Sequence, residues 1–167
     1  MNENDLSAAC RALSAAAGRN LTERGAHAAA AESLTGGMVS SFIVDVPGAS
    51  QWFTEGCVTY TDEAKMRRLG VPEDILRRST AVSSETARAM AEGLLRCSGA
   101  DIAVATTGVA GPGPDADGHP EGLVFIGGAT RSGSVTKELA LAGSRRGIRL
   151  QAALSALTLL YKLSELV

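Results

Sequence analysis

A polar cluster, "ESLTGG" at residues 32–37, interrupts a run of alanines. A serine or threonine before a helix is most often an N-cap, and on spacing alone Ser33 or Thr35 fits that role. The alternative is chemistry, because a serine hydroxyl exposed where a strand turns into a helix can attack a carbonyl carbon. Gly36 and Gly37 would then let backbone N–H groups approach the ligand, at a helix N-terminus that favours an oxyanion.

A lysine in "DEAKMRRL" is the candidate base for that serine. Lys65 lies in the first turn of a predicted helix, where the helix dipole disfavours its ammonium form, and burial would disfavour it further. A neutral lysine can accept a proton from a serine hydroxyl. Tyr60, five residues earlier at the end of a strand, could hydrogen-bond the pair. The common alternatives are a solvated surface lysine and a half-buried strand tyrosine with a solvated tip.

A third polar stretch, "TTGVAGPG", follows another apolar run. Thr107 is either simply the last residue of a strand or a donor of a hydrogen bond to substrate. The glycine-rich loop at 108–122 is long enough to suggest a role in binding, and Gly108 and Gly111 are the expected substrate contacts. The loop matches neither common phosphate-binding pattern, G-x-G-x-x-G or G-x-x-x-x-G-K, so alone it is a weak signal.

Three arginines, Arg145, Arg146 and Arg149, begin the last predicted helix. The ordinary interpretation is a solvated basic face. The functional interpretation is a clamp for a phosphate monoester, since guanidinium groups bind phosphate through charge-assisted hydrogen bonds.

Elements that could position these residues alternate along the chain. Apolar periodicity and capping residues predict helices at about 4–24, 38–44, 62–69, 72–79, 84–97 and 144–167. Asp62 is the expected N-cap of the third helix, Pro72 the first residue of the fourth, and Ser83 or Ser84 the cap of the fifth. Strands are predicted at 27–33, 52–60, 101–108, 123–131 and 134–142, the last two as a hairpin.

This order predicts an α/β fold, a three-layer α/β/α sandwich with a mixed sheet of about five strands, in one domain over residues 1–167. Three polar stretches each follow a strand, and ligands of α/β sheets bind beyond the carboxyl ends of strands. The stretches should therefore converge. Glu32 should point away from Ser33 and hold the turn by bonding to backbone.

Composition excludes several classes of protein. The 167 residues are 45% hydrophobic with a formal charge of −2, which allows a proper core and argues against direct nucleic-acid binding. No apolar run is long enough to span a membrane, and the acidic start "MNENDLSAAC" is unlike a signal peptide. Three widely spaced cysteines indicate reduced thiols in a cytoplasm, and no His/Cys spacing predicts a metal site.

Five motifs together resemble one family. They are "AESLTGG", "VTYTDEAKMRRLGV", "AVSSETARAMAEG", "TTGVAGPG" and "AGSRRGIR". Their order and spacing are similar to those of the CinA C-terminal domain, from the competence/damage-inducible CinA family, over about residues 5–165. Enzymatic members of that family are nicotinamide mononucleotide deamidases.

The resemblance implies an amidohydrolase that converts nicotinamide mononucleotide and water to nicotinic acid mononucleotide and ammonia. The family's serine nucleophile falls on Ser33, its lysine on Lys65 and its tyrosine on Tyr60. The threonine of its "TG.AGP" motif falls on Thr107, and its arginine falls on Arg145, which is therefore assigned to substrate binding. Such proteins need no metal or other cofactor and form homo-oligomers, with a dimer favoured here. If Ser33 is the nucleophile, helix capping passes to Thr35.

The chain departs from the family pattern at three motif positions. Leu34 stands where a cysteine is usual, Leu141 where a phenylalanine is usual, and Ser144 where an aspartate is usual. None of these removes a catalytic group, but they leave substrate preference open. The competing hypothesis is a non-catalytic nucleotide-binding or partner-binding module linked to competence or DNA damage, which would not need a serine, a lysine and a tyrosine together.

Overall fold

Five strands and six α-helices make up the computed structural model, which describes residues 1–167. The helices are α1 Glu3–Arg24, α2 Met38–Val44, α3 Asp62–Leu69, α4 Glu73–Ser79, α5 Ser84–Ser98 and α6 Arg145–Ser164. The strands are β1 Ala28–Glu32, β2 Phe53–Val58, β3 Ile102–Gly108, β4 Leu123–Thr130 and β5 Gly133–Ala140. None of the helices is both long and apolar enough to cross a membrane.

The strands form one mixed sheet in the order β2-β1-β3-β4-β5. The β1 strand pairs in parallel with both β2 and β3, whereas β3–β4 and β4–β5 are antiparallel. The predicted mixed sheet and terminal hairpin are confirmed. Because β1, β2 and β3 run in one direction, their carboxyl ends, with the polar stretches that follow them, lie at one edge of the sheet.

Alternation along the central strands separates two cores. In β1, Ala28 and Ala30 pack in the core shared with α1, α2 and α6, whereas Ala29 and Ala31 belong to the core under α5. Successive side chains of a strand point to opposite faces, so a strand buried on both faces reads as an unbroken apolar run. The three-layer α/β/α sandwich is confirmed.

Several helix starts match their sequence signals, and two are shifted by one residue. The Ser83 hydroxyl accepts a hydrogen bond from Thr86 N, as an N-cap of α5 should. For α3 the N-cap is Thr61, not Asp62, because the Thr61 hydroxyl accepts from the Ala64 amide and Asp62 is already helical. Pro72 is likewise the N-cap of α4 instead of its first residue.

The start of α2 contradicts the expectation that Thr35 caps it. The N-cap is Gly37, in the left-handed region with φ +94°, and it has no side chain to offer. Thr35 is buried and its hydroxyl shares a 2.8 Å hydrogen bond with the Thr106 hydroxyl of β3. Capping comes from the Glu32 carboxylate, which accepts from backbone N–H groups at the start of α2. Thr35 instead joins the turn to the neighbouring strand.

Candidate active site

A cavity of about 180 Å³ opens at the carboxyl edge of β1, β2 and β3. Polar and charged side chains line it together with a few apolar ones. Its lining residues are Ser33, Leu34, Tyr60, Asp62, Lys65, Ala81, Val82, Thr107, Gly108, Ala110 and Arg145. The convergence expected from strand topology therefore occurs, and it brings six of the predicted site residues to one place.

Ser33 and Lys65 form the centre of the cavity. The Lys65 Nζ lies 3.5 Å from the Ser33 Oγ, within hydrogen-bonding reach. Ser33 is held at the end of β1 by a 3.0 Å bond from its amide to the Thr106 carbonyl. Lys65 is placed by the first turn of α3 and is only 1% exposed. A serine hydroxyl beside a buried amine is the arrangement of a nucleophile and its base.

Burial lowers the pKa of Lys65 below the ordinary value for lysine, because removal from water disfavours the ammonium form. The Asp62 carboxylate, 3.9 Å from Nζ, opposes this by favouring the positive charge. Burial is the larger effect. Sequence reasoning treated Asp62 only as a helix cap, although its spacing of three residues from Lys65 places both side chains on one helix face.

Glu32 holds the turn beneath Ser33. Its fully buried carboxylate accepts hydrogen bonds from the backbone N–H groups of Gly37, Val39 and Ser40 at 2.8–3.0 Å, and from the Ser40 hydroxyl at 2.7 Å. These amides belong to the first turn of α2, where N–H groups lack helical partners. The expectation that Glu32 bonds to backbone and holds the turn is confirmed.

The glycine pair does not contact the cavity. The Gly36 amide donates to the Ser33 carbonyl and the Gly37 amide to Glu32, so neither is free for an oxyanion. Gly36 and Gly37 instead line a separate depression beside α1 and α6, and Thr35 is absent from the cavity lining. These three residues do not line the cavity that holds Ser33 and Lys65, and their contact with substrate stays a prediction.

Two other backbone amides next to Ser33 have no hydrogen-bond acceptor in the protein, and one of them belongs to a residue that lines the cavity. The backbone N–H groups of Leu34 and Thr35 donate no hydrogen bond within the protein. The Leu34 amide immediately follows Ser33, the position from which serine hydrolases commonly supply an oxyanion donor. The signal in the sequence was Ser33 itself, because the amide of the next residue accompanies any candidate nucleophile.

Arg145 and Tyr60 stand together at the cavity rim. Arg145 Nη2 donates to the Tyr60 hydroxyl at 3.4 Å, and Nη1 donates to the Gly111 carbonyl. Tyr60 is 59% exposed and hydrogen-bonds to neither Ser33 nor Lys65. Gly111 is therefore connected to the cavity by the hydrogen bond from Arg145 to its carbonyl. The expected hydrogen bond from Tyr60 to Ser33 or Lys65 is not present.

The arginine cluster does not act as one group. Arg146 forms an ion pair with Glu3 of α1 at 3.2 Å. Arg149 donates to the carbonyls of Leu34 at 2.9 Å and Thr35 at 2.7 Å, so it stabilises the turn that carries the serine. Only Arg145 lines the cavity. The three arginines therefore do not form a shared phosphate clamp.

Thr107 supports the wall of the cavity. Its hydroxyl donates a 2.6 Å hydrogen bond to the Ala81 carbonyl, so this hydrogen is not free for the substrate. Ala81 and Val82 are adjacent apolar residues of the cavity wall. Sequence reasoning missed this wall, because the two residues lie in a short connection before α5 and carry no polar signal.

Comparisons with known proteins agree on one family. The CinA C-terminal domain profile matches residues 10–164. A "Putative competence-damage inducible protein" of Symbiobacterium thermophilum is 47% identical over 156 residues, 88% of this chain and 37% of that protein. A "CinA-like protein" of Geobacter sulfurreducens is 44% identical over 145 residues, 87% of this chain and 35% of that protein. The chain spans about a third of the length of these curated relatives.

Solved structures show the same architecture. A CinA superfamily protein from Klebsiella pneumoniae superimposes with a TM-score of 0.90 at 31% identity, covering 95% of this chain and 99% of that one. The competence/damage inducible protein CihA from Agrobacterium tumefaciens gives a TM-score of 0.86 at 36% identity, covering 95% of each chain. Fold, motifs and sequence identity lead to one conclusion: the chain belongs to the CinA C-terminal domain family.

Proposed function

We propose that this protein is a nicotinamide mononucleotide deamidase, an amidohydrolase working through a serine acyl-enzyme. The observation that carries the proposal is the Ser33 Oγ within 3.5 Å of the Nζ of a lysine that is 1% exposed. A module that only bound a nucleotide would gain nothing from burying an amine against a serine hydroxyl, because burial of an ionisable group costs free energy. The substrate follows from the family resemblance.

Acylation begins when the Ser33 Oγ attacks the carboxamide carbon of the nicotinamide ring. The hydroxyl proton passes to neutral Lys65 Nζ, and the carbonyl oxygen becomes an oxyanion. The free amide of Leu34, a residue that lines the cavity, is the donor proposed to stabilise it. Lys65 then returns the proton to the amide nitrogen as the C–N bond breaks, so ammonia leaves and an ester of Ser33 remains.

Deacylation repeats the same proton transfers with water. A water molecule attacks the ester carbon and gives a proton to Lys65. The second oxyanion collapses, the C–O bond to Ser33 breaks, and the proton restores the serine hydroxyl. The product is nicotinic acid mononucleotide, which would serve pyridine nucleotide recycling. General base catalysis supplies about 10²–10⁴-fold, so oxyanion stabilisation must contribute as well.

The rim of the cavity suits the rest of the nucleotide. A volume of about 180 Å³ is below the roughly 300–1,000 Å³ common for sites that enclose a whole ligand. The nicotinamide ring would therefore enter against Ala81 and Val82, while ribose and phosphate remain at the opening. Arg145 and Tyr60 lie at this opening. Because a guanidinium group binds a phosphate monoester well, Arg145 would contact the 5′-phosphate.

An ammonia-release assay with nicotinamide mononucleotide tests this proposal. The purified protein should release ammonia, and Ser33→Ala should not, while circular dichroism and melting temperature stay close to wild type because Glu32 caps α2 unaided. Ser41→Ala, a serine of α2 outside the cavity, is the matched control. Ammonia release by Ser33→Ala would exclude this serine as nucleophile, and none by the wild type would favour a non-catalytic module.

The riboside lacking the 5′-phosphate tests the rim. Wild-type kcat/KM should be much lower for the riboside, and Arg145→Ala should reduce turnover of the mononucleotide while leaving that of the riboside nearly unchanged. Equal turnover of both substrates by the wild type would contradict phosphate recognition.

A further inference from the structure

Three side chains outside the cavity form a hydrogen-bonded chain. Asp115 Oδ2 lies 2.8 Å from His119 Nδ1, and His119 Nε2 lies 3.2 Å from the hydroxyl of Thr80. The backbone amides of Asp117 and His119 donate to Asp115 Oδ1, which orients the carboxylate. A carboxylate on one ring nitrogen fixes both the tautomer and the direction of an imidazole. Residues 115 and 119 belong to the long loop after β3, and Thr80 precedes α5.

Thr80 has an unusual backbone. It is the one non-glycine residue with positive φ, at +65°, a conformation that is an outlier for a β-branched residue. Its carbonyl accepts hydrogen bonds from the hydroxyls of Ser83 at 3.2 Å and Thr86 at 2.6 Å. A residue keeps a sparsely populated backbone conformation only when several contacts with its surroundings hold it there. Bonds to both its side chain and its carbonyl supply that constraint.

The hydrogen-bonded side chains of Asp115, His119 and Thr80 end beside the cavity wall. Ala81 and Val82, which follow Thr80, line the cavity, and the Ala81 carbonyl accepts from Thr107. The Val82 amide donates to the Thr80 hydroxyl at 3.3 Å. Since that hydroxyl accepts from Val82, its own hydrogen can be donated to His119 when the imidazole is neutral. The orientation of the wall therefore depends on what holds the Thr80 side chain.

From this geometry we infer that His119, oriented by Asp115, is a positioning residue for substrate binding. It acts through Thr80, whose strained backbone sets the apolar Ala81–Val82 wall against which the substrate ring packs. The inference rests on the proposed function and assigns a positioning role to the 115–119 part of the loop, which does not line the cavity. The same loop meets the cavity again at its start, where the Gly111 carbonyl accepts from Arg145.

Variants that disturb the Ala81–Val82 wall should raise KM and leave kcat nearly unchanged. A wall that contacts the substrate equally in the ground state and the transition state changes KM without changing kcat. A structural defect would instead lower the active fraction and so the apparent kcat. Loss of one hydrogen bond corresponds to a change of about three- to tenfold. His119→Leu and Thr80→Val each remove the bond while keeping most of the side-chain volume.

A double-mutant cycle with nicotinamide mononucleotide tests the inference. Each single variant should raise KM about three- to tenfold and keep kcat within about twofold. The double variant should be no worse than Thr80→Val alone, because Thr80→Val already removes the bond to His119 together with the one from the Val82 amide. Asp117→Asn is the matched control, since Asp117 lies in the same loop with an exposed side chain outside the chain of bonds. An unchanged KM in both single variants, or KM effects that multiply in the double variant, would overturn the inference.

Amide hydrogen exchange separates this inference from the proposed function. In His119→Leu the amides around residues 80–82 should exchange at least severalfold faster than in the wild type, with α1 and α6 unaffected. This readout needs no turnover. If the wild type releases no ammonia yet exchange rises at the wall, the proposed substrate is wrong and the positioning role stands; unchanged exchange would overturn the positioning role.

Discussion

At the scale of single residues, Lys65 is the most informative side chain. A lysine that is 1% exposed, with its carboxylate neighbour Asp62 as far as 3.9 Å away, is poorly compensated as a cation. Its pKa is lowered for that reason, chiefly by burial. Perturbed ionisable groups in clefts are candidates for function, and this one also lies beside the hydroxyl that it would have to deprotonate.

Lys65→Arg separates a base from a mere positive charge. Arginine keeps the charge but effectively cannot be deprotonated in a protein, so kcat should fall by about 10²-fold or more. The measurement is steady-state deamidation with the melting temperature checked in parallel. Arg68→Lys, an exposed exchange on the same helix, is the control and should keep full activity. A nearly fully active Lys65→Arg protein would exclude the base role.

Asp62→Asn tests the electrostatics of the base through pH. Only neutral Lys65 can accept a proton, so kcat/KM should rise with pH through the pKa of Lys65, below the ordinary lysine value of about 10.4. The Asp62 carboxylate favours the ammonium form, so its removal lowers this pKa. The rising limb of the pH profile should therefore move to lower pH. Glu63→Gln, on the exposed side of the same turn, should leave the limb in place; a shift to higher pH in Asp62→Asn would contradict the assignment.

At the scale of elements, the junction from β1 to α2 explains why the serine can be reactive without being structural. The last residue of β1, Glu32, caps α2 through four hydrogen bonds, and Arg149 of α6 holds the carbonyls of Leu34 and Thr35. The turn is thus fixed by groups on either side of Ser33. Its hydroxyl hydrogen-bonds only to Lys65 within the protein.

Glu32→Gln tests whether the Glu32 carboxylate caps α2. The amide replaces one acceptor oxygen by an NH₂ donor, which would face backbone N–H groups and leave buried donors unsatisfied. We expect a loss of about 1.5–3 kcal/mol in the free energy of unfolding, measured by urea denaturation. Glu55→Gln, on the exposed edge strand β2, should change it by less than about 0.5 kcal/mol. Equal stability of Glu32→Gln and wild type would show that α2 is capped otherwise.

At the scale of the whole molecule, two adjacent glycines of β4 set the spacing of the three layers. A Cβ on Gly127 would collide with the Ala87 carbonyl of α5, whereas a Cβ on Gly128 would meet side-chain atoms of Leu159 and Leu163 in α6. One face of the sheet therefore contacts helix backbone and the opposite face contacts flexible side chains.

Gly127→Ala and Gly128→Ala form a matched pair across the sheet. Overpacking of a core typically costs about 1–3 kcal/mol, and backbone cannot yield as leucine side chains can. Gly127→Ala should therefore lose more free energy of unfolding than Gly128→Ala in parallel denaturation curves. The reverse order would mean that α5 shifts more easily than the side chains of α6 repack.

The assembly of the molecule remains a prediction. The family resemblance implies a homo-oligomer, with a dimer favoured, and the edge strand β2 ends beside exposed Val58 and Tyr60, which are 52% and 59% accessible. Sedimentation velocity at several protein concentrations should show a dimer. A monomer at every concentration would contradict the expectation.

The amino-acid sequence by itself determined the element types, the layer order and the candidate serine–lysine pair. Apolar runs such as the β1 alanines, helix caps such as Ser83, and the hairpin at β4–β5 are local signals, because backbone periodicity and capping act within a few residues. Ser33 and Lys65 could be placed at one edge of the sheet because parallel strands end there, whereas Arg145 was singled out by the family resemblance.

Only the tertiary structure decided which partner each polar group would take. Thr35, the expected cap, bonds to Thr106, and Glu32 caps the helix. Arg145 and Arg149, neighbours on one helix, serve the cavity rim and the turn respectively. Donors and acceptors far apart in sequence compete for the same bond, and the winner is set by distances of a few ångströms that periodicity does not encode. The cavity wall beside Thr80 follows the same rule, since its histidine partner is 39 residues away.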